Sequence, residues 1–206
     1  MATGPSLRPT FGVKRVVSIA KPIYVEIVIR APMEALWAAT QDPAQHQRWD
    51  LRFTAIEYLH RGESDAAQTF LYTTRMGGMR ISGEGETTTT QNATDGSRVS
   101  ALRFWSADPK SLIEKGSGYW KYTPVEGGIR FVTWYDYTVR FGTAGRFADR
   151  LVFRRLLGWA TAWSFDRLRL WLEDGTLPEA SWRAAITRHS GAPSASRCLR
   201  KPGLAL

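Results

Sequence analysis

The residues able to do chemistry in this chain are few and scattered. Histidines stand at positions 46, 60 and 189, which makes no HExxH or HxxxH pair and hence no familiar zinc spacing. Cys198 is the only cysteine, so an internal disulfide and any CxxC metal or redox motif are excluded. No metal and no cofactor is implied. Gly77-Gly78 and Gly83-Glu84-Gly85 fall in strand-like surroundings with no helix after them, unlike a phosphate-cradling loop. No Ser/His/Asp arrangement can be assembled. The two most unusual charges are Asp149 and Arg167, which share the apolar face of a long helical stretch. A charge so placed needs a partner or water. Arg167 has two readings: a grip on a ligand carboxylate, or an internal pair with an acid such as Asp42 or Asp50. Asp149 fits an exposed helix N-terminus, where its charge suits the dipole.

That helical stretch, Thr143 to Asp174, organises the rest. It has no proline, one interior glycine (Gly158), and Gly175 as a stop signal. At 1.5 Å per residue it would run about 45 Å, across a whole small domain. A 100° wheel centred on Leu156 gathers Val152, Phe153, Leu157, Trp159, Ala160, Trp163, Leu170 and Trp171 on one face. Arg146, Arg150 and Arg154 form an i, i+4 ladder towards the other side, where solvent, acids of the sheet or an anionic partner would offset their repulsion.

Upstream, Pro22 to Arg30 alternates and is β-branched, predicting a first strand. Pro32 opens a short helix through MEALWAATQ, and Asp42-Pro43 opens a second. Strands are then predicted at Arg52–His60, Gln68–Met76, Met79–Thr89, Arg98–Ala107, Leu112–Thr123 and Ile129–Phe141, joined by short turns such as Asp95-Gly96-Ser97 and Glu126-Gly127-Gly128. In the last strand Ile129, Phe131, Thr133, Tyr135, Tyr137, Val139 and Phe141 share the face expected to meet the helix. Glycines 83, 85, 116 and 118 inside strands fit a curved sheet.

The net charge of +9 is concentrated at the ends. Arg8, Lys14, Arg15 and Lys21 meet no acid before residue 22, and residues 177–206 carry five basic residues against Glu179. The reading is a basic arm at 1–20, one domain at 21–176, and a basic tail at 177–206 in which Trp182 and Ile186 suggest a short helix. The tail packs over the domain or mediates a homodimer. The basic ends keep an anionic membrane or RNA open as partners. One cysteine and no apolar signal segment fit a cytoplasmic setting.

The opening YVEIVIRAPMEALWAATQDPAQHQRWD (24–50), with Ala31-Pro32, Glu34, Trp37, Asp42-Pro43 and Trp49-Asp50, and the closing FDRLRLWLEDG (165–175), resemble the START-like, or SRPBCC, superfamily. Polyketide cyclases, birch-pollen-type allergens and lipid-transfer domains belong to it. The resemblance covers about residues 22–175. It implies an α+β helix-grip fold: a curved antiparallel sheet of about seven strands around one long C-terminal helix, with two short helices between strands one and two. It also implies a cavity between sheet and helix. The candidate lining is Tyr72, Phe104, Trp120, Phe131, Tyr135, Tyr137, Leu156, Trp159, Trp163 and Arg167, with His46 at the entrance. Such a wall suits a hydrophobic small molecule such as a lipid, polyketide or isoprenoid. The alternatives are a core filled by the rings themselves, and a cyclase- or dehydratase-like enzyme in which Tyr72, Tyr135, Tyr137 and Arg103 steer an enol. Some superfamily relatives associate with ribosomes or quinone-rich membranes.

Overall fold

In a computed structural model the protein is described over residues 21–59, 68–76, 78–181 and 191–202. Seven strands, β1 (Ile23–Ile29), β2 (Ala55–Tyr58), β3 (Gln68–Met76), β4 (Met79–Asn92), β5 (Arg98–Trp105), β6 (Ile113–Val125) and β7 (Gly128–Val139), form one antiparallel sheet in the order β1-β7-β6-β5-β4-β3-β2. Helices α1 (Met33–Gln41) and α2 (Pro43–Trp49) carry the chain from one sheet edge to the other. A helical rod follows β7: α3 (Gly142–Ala148), a π turn (Asp149–Phe153) and α4 (Arg154–Asp174). The expected curved sheet and its helix are thus the observed architecture.

Local chemistry explains the short elements. Pro32 precedes α1, and the Asp42 carboxylate accepts from Ala44 N at 2.9 Å to cap α2. Trp49 is fully buried, its indole N–H donating to Ala39 O at 2.8 Å, which locks α2 onto α1. Gly175, at φ 69°, closes α4. The second strand is shorter than expected. Arg52 N donates to Asp50 Oδ1 at 3.0 Å, and this local turn holds residues 51 and 52 out of the sheet.

The rod has two unlike halves. Residues 161–168 are buried on every side. Inward, Phe165 stacks on Phe131 with centroids 4.4 Å apart. Outward, residues 194–199 lie across the helix, and Leu199 bridges backbone to backbone with Glu26 on the free edge of β1. The Asp166 carboxylate is the clasp, accepting from Ser194 N at 2.8 Å, Arg197 at 2.6 Å and Arg169 at 2.8 Å.

The other half departs from expectation. Val152, Leu156 and Trp159, placed by the wheel on the covered face, are 64%, 48% and 41% exposed. A π turn holds more residues than an α turn, so one 100° wheel does not carry through it. Asp149, expected at an exposed end, is buried: it accepts from Tyr137 Oη at 2.6 Å and from Arg154 Nε at 2.9 Å. Arg154 therefore leaves the expected outer ladder; it also reaches Asp136 at 3.1 Å and lies 4.2 Å over the Tyr137 ring. Phe141 is not on the covered strand face but past the end of β7, at φ 64° with an exposed ring. The arm at 1–20 and the short helix suggested by Trp182 and Ile186 lie outside the described residues.

Candidate functional site

Two of the aromatic side chains expected in the cavity, Tyr72 and Phe104, and a third, Phe70, sit directly opposite glycines. Phe70 pairs with Gly85, Tyr72 with Gly83, and Phe104 with Gly116. A Cβ built on Gly85 would lie 2.2 Å from the Phe70 ring, and one on Gly116 2.3 Å from the Phe104 ring. Each ring therefore lies flat over the backbone of its neighbour instead of standing into the concavity. This is why a chain with so many rings keeps an open space. A cavity of about 340 Å³ lies between the sheet, the π turn and the start of α4, within the usual range for small-molecule sites.

Tyr72, Phe104, Trp120, Tyr135, Leu156 and Trp159 line this cavity, as do His46, Phe70 and Tyr119. Phe131, Tyr137, Trp163 and Arg167 do not. Phe131 is sealed between Tyr122 and Phe165. Tyr137 is committed to Asp149, burial and then that bond raising its pKa far above the ordinary value. Arg167 makes no hydrogen bond to Asp42 or Asp50 and does not line the cavity, though it feels the charges of Glu179 and Asp50; its Nε donates to Pro178 O at 2.9 Å, and its guanidinium lies 5.6 Å from the Trp163 ring. Burial lowers its pKa. Of the residues considered for enol chemistry, Arg103 is exposed and bonded to Glu86 at 2.8 Å, outside the cavity.

The cavity has a charged end that sequence reasoning missed. Asp50 is almost wholly buried and accepts from Arg52 Nε at 2.9 Å, Arg52 Nη2 at 2.6 Å and the His46 ring nitrogen Nε2 at 2.9 Å. Burial alone would raise the Asp50 carboxyl; the Arg52 guanidinium and the His46 bond more than offset this and hold it well below the usual range. Burial lowers the His46 pKa despite the upward pull of Asp50. At neutral pH the imidazole is therefore uncharged, and its contact with Asp50 is a hydrogen bond donated by Nε2–H. His46 and Arg52 both face the cavity. His46 is clamped between rings, stacked on Trp49 and edge-on to Phe53 and Trp120, with centroids 5.0–5.3 Å apart. Beside them Tyr135 Oη meets Thr161 Oγ1 at 2.9 Å. The signal in the sequence was the local triplet Asp50-Leu51-Arg52, which a strand assignment starting at Arg52 concealed.

A second polar group lies by α1. Gln41 Nε2 and Thr40 Oγ1 meet Tyr122 Oη at 2.9 and 2.7 Å, and Ser100 Oγ donates to Gln41 Oε1 at 3.1 Å. Thr40, Gln41 and Ser100 reach the cavity wall with these mutual bonds already made. The remaining wall is predominantly hydrocarbon and aromatic, with Arg75 of β3 as a second cation beside the Arg52 guanidinium and the His46 imidazole.

A sheet gripping a long helix around an apolar cavity defines a helix-grip domain. The chain belongs to the polyketide cyclase/dehydrase and lipid transport family, whose profile matches residues 22–173. Its sequence is 51% identical over 168 residues to a protein named uncharacterized membrane protein YndG from Bacillus subtilis, covering 81% of this chain and 62% of that one. The chain thus spans less than two thirds of that relative's length. Among solved structures, the fold is similar to a STAR-related lipid transfer protein fragment from Xanthomonas axonopodis (TM-score 0.55, 16% identity, 71% of this chain and 82% of that one). It is also similar to the Zhui aromatase/cyclase from Streptomyces sp. R1128 (TM-score 0.52, 15% identity, 72% and 96%). No helix among the described residues is long and apolar enough to cross a membrane.

Proposed function

We propose that the protein binds a hydrophobic small molecule, of lipid, polyketide or isoprenoid type, with its apolar body among the rings and one oxygen-bearing end at Arg52 and His46. The observation that carries this reading is the open, mostly apolar cavity with the buried Asp50–Arg52–His46 cluster at its wall, in a family described by polyketide cyclisation and lipid transport. Asp50 occupies Arg52 Nε and Nη2, so the ligand's polar end meets a guanidinium that is already neutralised. A hydroxyl or carbonyl suits that better than a second carboxylate. A cytoplasmic setting belongs to the same reading, supported by one cysteine held as a buried thiol.

The test is native mass spectrometry of the full chain from its own host, followed by denaturing extraction. A reproducible adduct is expected, one that weakens when Arg52 is replaced by Lys and disappears when Leu102, a wall residue, is replaced by Trp. Protein that stays free of ligand, and binds none of a panel of isoprenoids, fatty acids and polyketides, would overturn the reading.

A cyclase- or dehydratase-like enzyme is the second reading. It is favoured by a neutral imidazole oriented by a buried carboxylate on the cavity wall, an arrangement suited to moving a proton. Turnover of the extracted ligand, lost in His46→Gln while binding persists, separates the enzyme from the carrier.

A further inference from the structure

The uncovered half of the helical rod carries one kind of charge and a run of apolar side chains. Phe147 and Leu151, four residues apart, and Val152 and Leu156, four apart, stand out from α3, the π turn and the start of α4. Phe147 is 66% exposed. The exposed charges among them are Arg146, Arg150 and Arg155, all positive. The one acid of this segment, Asp149, is turned inward and spent on Tyr137 and Arg154. Water would favour the opposite choice, burying the rings and balancing the charge.

A strained turn adds to this. Phe141 is the one non-glycine residue with positive φ among the described residues, and its ring is 59% exposed. A bulky side chain in that region is unfavourable, and no intramolecular burial compensates it. The turn starts the rod at the end of β7 and leaves the Phe141 ring in water.

We propose that this face docks on an anionic lipid bilayer, with Phe147, Leu151 and Val152 entering the headgroup–acyl boundary and Arg146, Arg150 and Arg155 pairing with lipid phosphates or carboxylates. Apolar side chains edged by arginines and free of exposed acid match that interface. A second copy of the chain fits worse, because the same face would set arginines against arginines. RNA fits worse because Leu151, Val152 and Leu156 offer no base stacking and would be desolvated against a polar backbone, leaving Phe147 as the one ring of the run able to stack. Leu156 and Trp159 are both exposed and part of the cavity lining, so docking brings this side of the cavity wall to the lipid. The surface stands on its own exposure and charge, whether or not the cavity takes a ligand.

Flotation of the full chain with phosphatidylcholine vesicles, with and without phosphatidylserine, tests this. The protein is expected to float with the phosphatidylserine vesicles and little with phosphatidylcholine alone. A Phe147→Ser, Val152→Ser double variant is expected to lose about tenfold or more in affinity. Arg146→Glu with Arg150→Glu should lose a similar factor, and only towards anionic vesicles. These side chains are exposed, so unchanged melting temperatures show that the fold is intact. A Phe147→Cys variant labelled there with an environment-sensitive fluorophore, the native Cys198 being buried, reports insertion directly by a blue shift of the label's emission. No flotation, flotation undiminished in both double variants (which would assign binding to the basic ends), or binding to RNA but not to vesicles at equal salt each overturns the proposal.

Discussion

Asp50 is the residue on which the charged end of the cavity depends. Its carboxylate neutralises Arg52 and orients His46, and all three side chains are nearly out of water. Replacing it with Asn keeps the shape and removes the charge, leaving a buried guanidinium without its counter-ion. Asp50→Asn is expected to cost about 3–5 kcal/mol at neutral pH, read as a fall in melting temperature. The pH dependence has a definite sign. The folded carboxyl is held below its unfolded value, so its contribution is complete above about pH 4, the unfolded range, and is lost as pH falls towards the folded value. The gap between the native protein and Asp50→Asn should therefore narrow on acidification below about pH 4. A gap that widened there would mean that Asp50 is not the ionised partner of Arg52. His46 works in the same direction at higher pH. Its folded pKa is depressed, so the native protein loses stability as pH drops below about 6.5 and the unfolded imidazole takes its proton first.

Strands and glycines act together at the next scale. The rings of Phe70, Tyr72 and Phe104 lie down because their cross-strand partners have no Cβ. All three of the nearest atoms to a Cβ on Gly85 belong to the Phe70 ring, at 2.2–2.9 Å. Gly85→Ala must therefore lift that ring into the cavity, the Phe70 ring being the closest obstacle to the new methyl group. The expected cost in stability is small, about 1 kcal/mol or less, because a strand gains from losing a glycine. Cavity binding of a hydrophobic probe should fall about tenfold, since the ring takes space from the ligand. Gly116→Ala is a harsher test of the same idea, because its Cβ would also meet Asp136 O at 2.7 Å. Equal probe affinity in Gly85→Ala and the native protein would show that Phe70 does not bound the occupied space.

For the whole molecule, the C-terminal segment is part of the structural unit and not a loose tail. Residues 194–199 cover the outer face of α4, extend the sheet at β1, and are clasped by Asp166. Cys198 sits beneath them, its thiol donating to Ala162 O at 3.2 Å, and burial pushes its pKa up to about 12. In the native state it should react very slowly with thiol reagents at mildly alkaline pH. Asp166→Asn weakens the clasp on Arg197, Arg169 and Ser194 together. Because Arg197 is 42% exposed, the expected loss is about 1–3 kcal/mol, less than for a fully buried pair. Cys198 labelling should accelerate about tenfold or more as the segment opens locally. Unchanged labelling would place the hold on this segment elsewhere, for instance in the Glu26–Leu199 bridge.

The order of elements, the curved antiparallel sheet and the long closing helix were legible in the sequence, because strand alternation, turn residues and helix periodicity are local properties. So was the aromatic character of the cavity, since large rings on one strand face must meet the helix or enclose space. Which rings enclose space was not legible: Tyr72 and Phe104 lie flat only because of glycines on neighbouring strands, whereas Phe131 is sealed by Phe165 from the helix. The placement of charge was equally beyond local pattern. Arg154 looked like a rung of an outer ladder and Asp149 like a helix-end charge, until one π turn brought both to Tyr137. Arg52 looked like the start of a strand, until Asp50 folded it into a turn at the cavity wall. Buried charges are positioned by partners distant in sequence or by single local departures from a regular period. Those are decided only when the whole chain has packed.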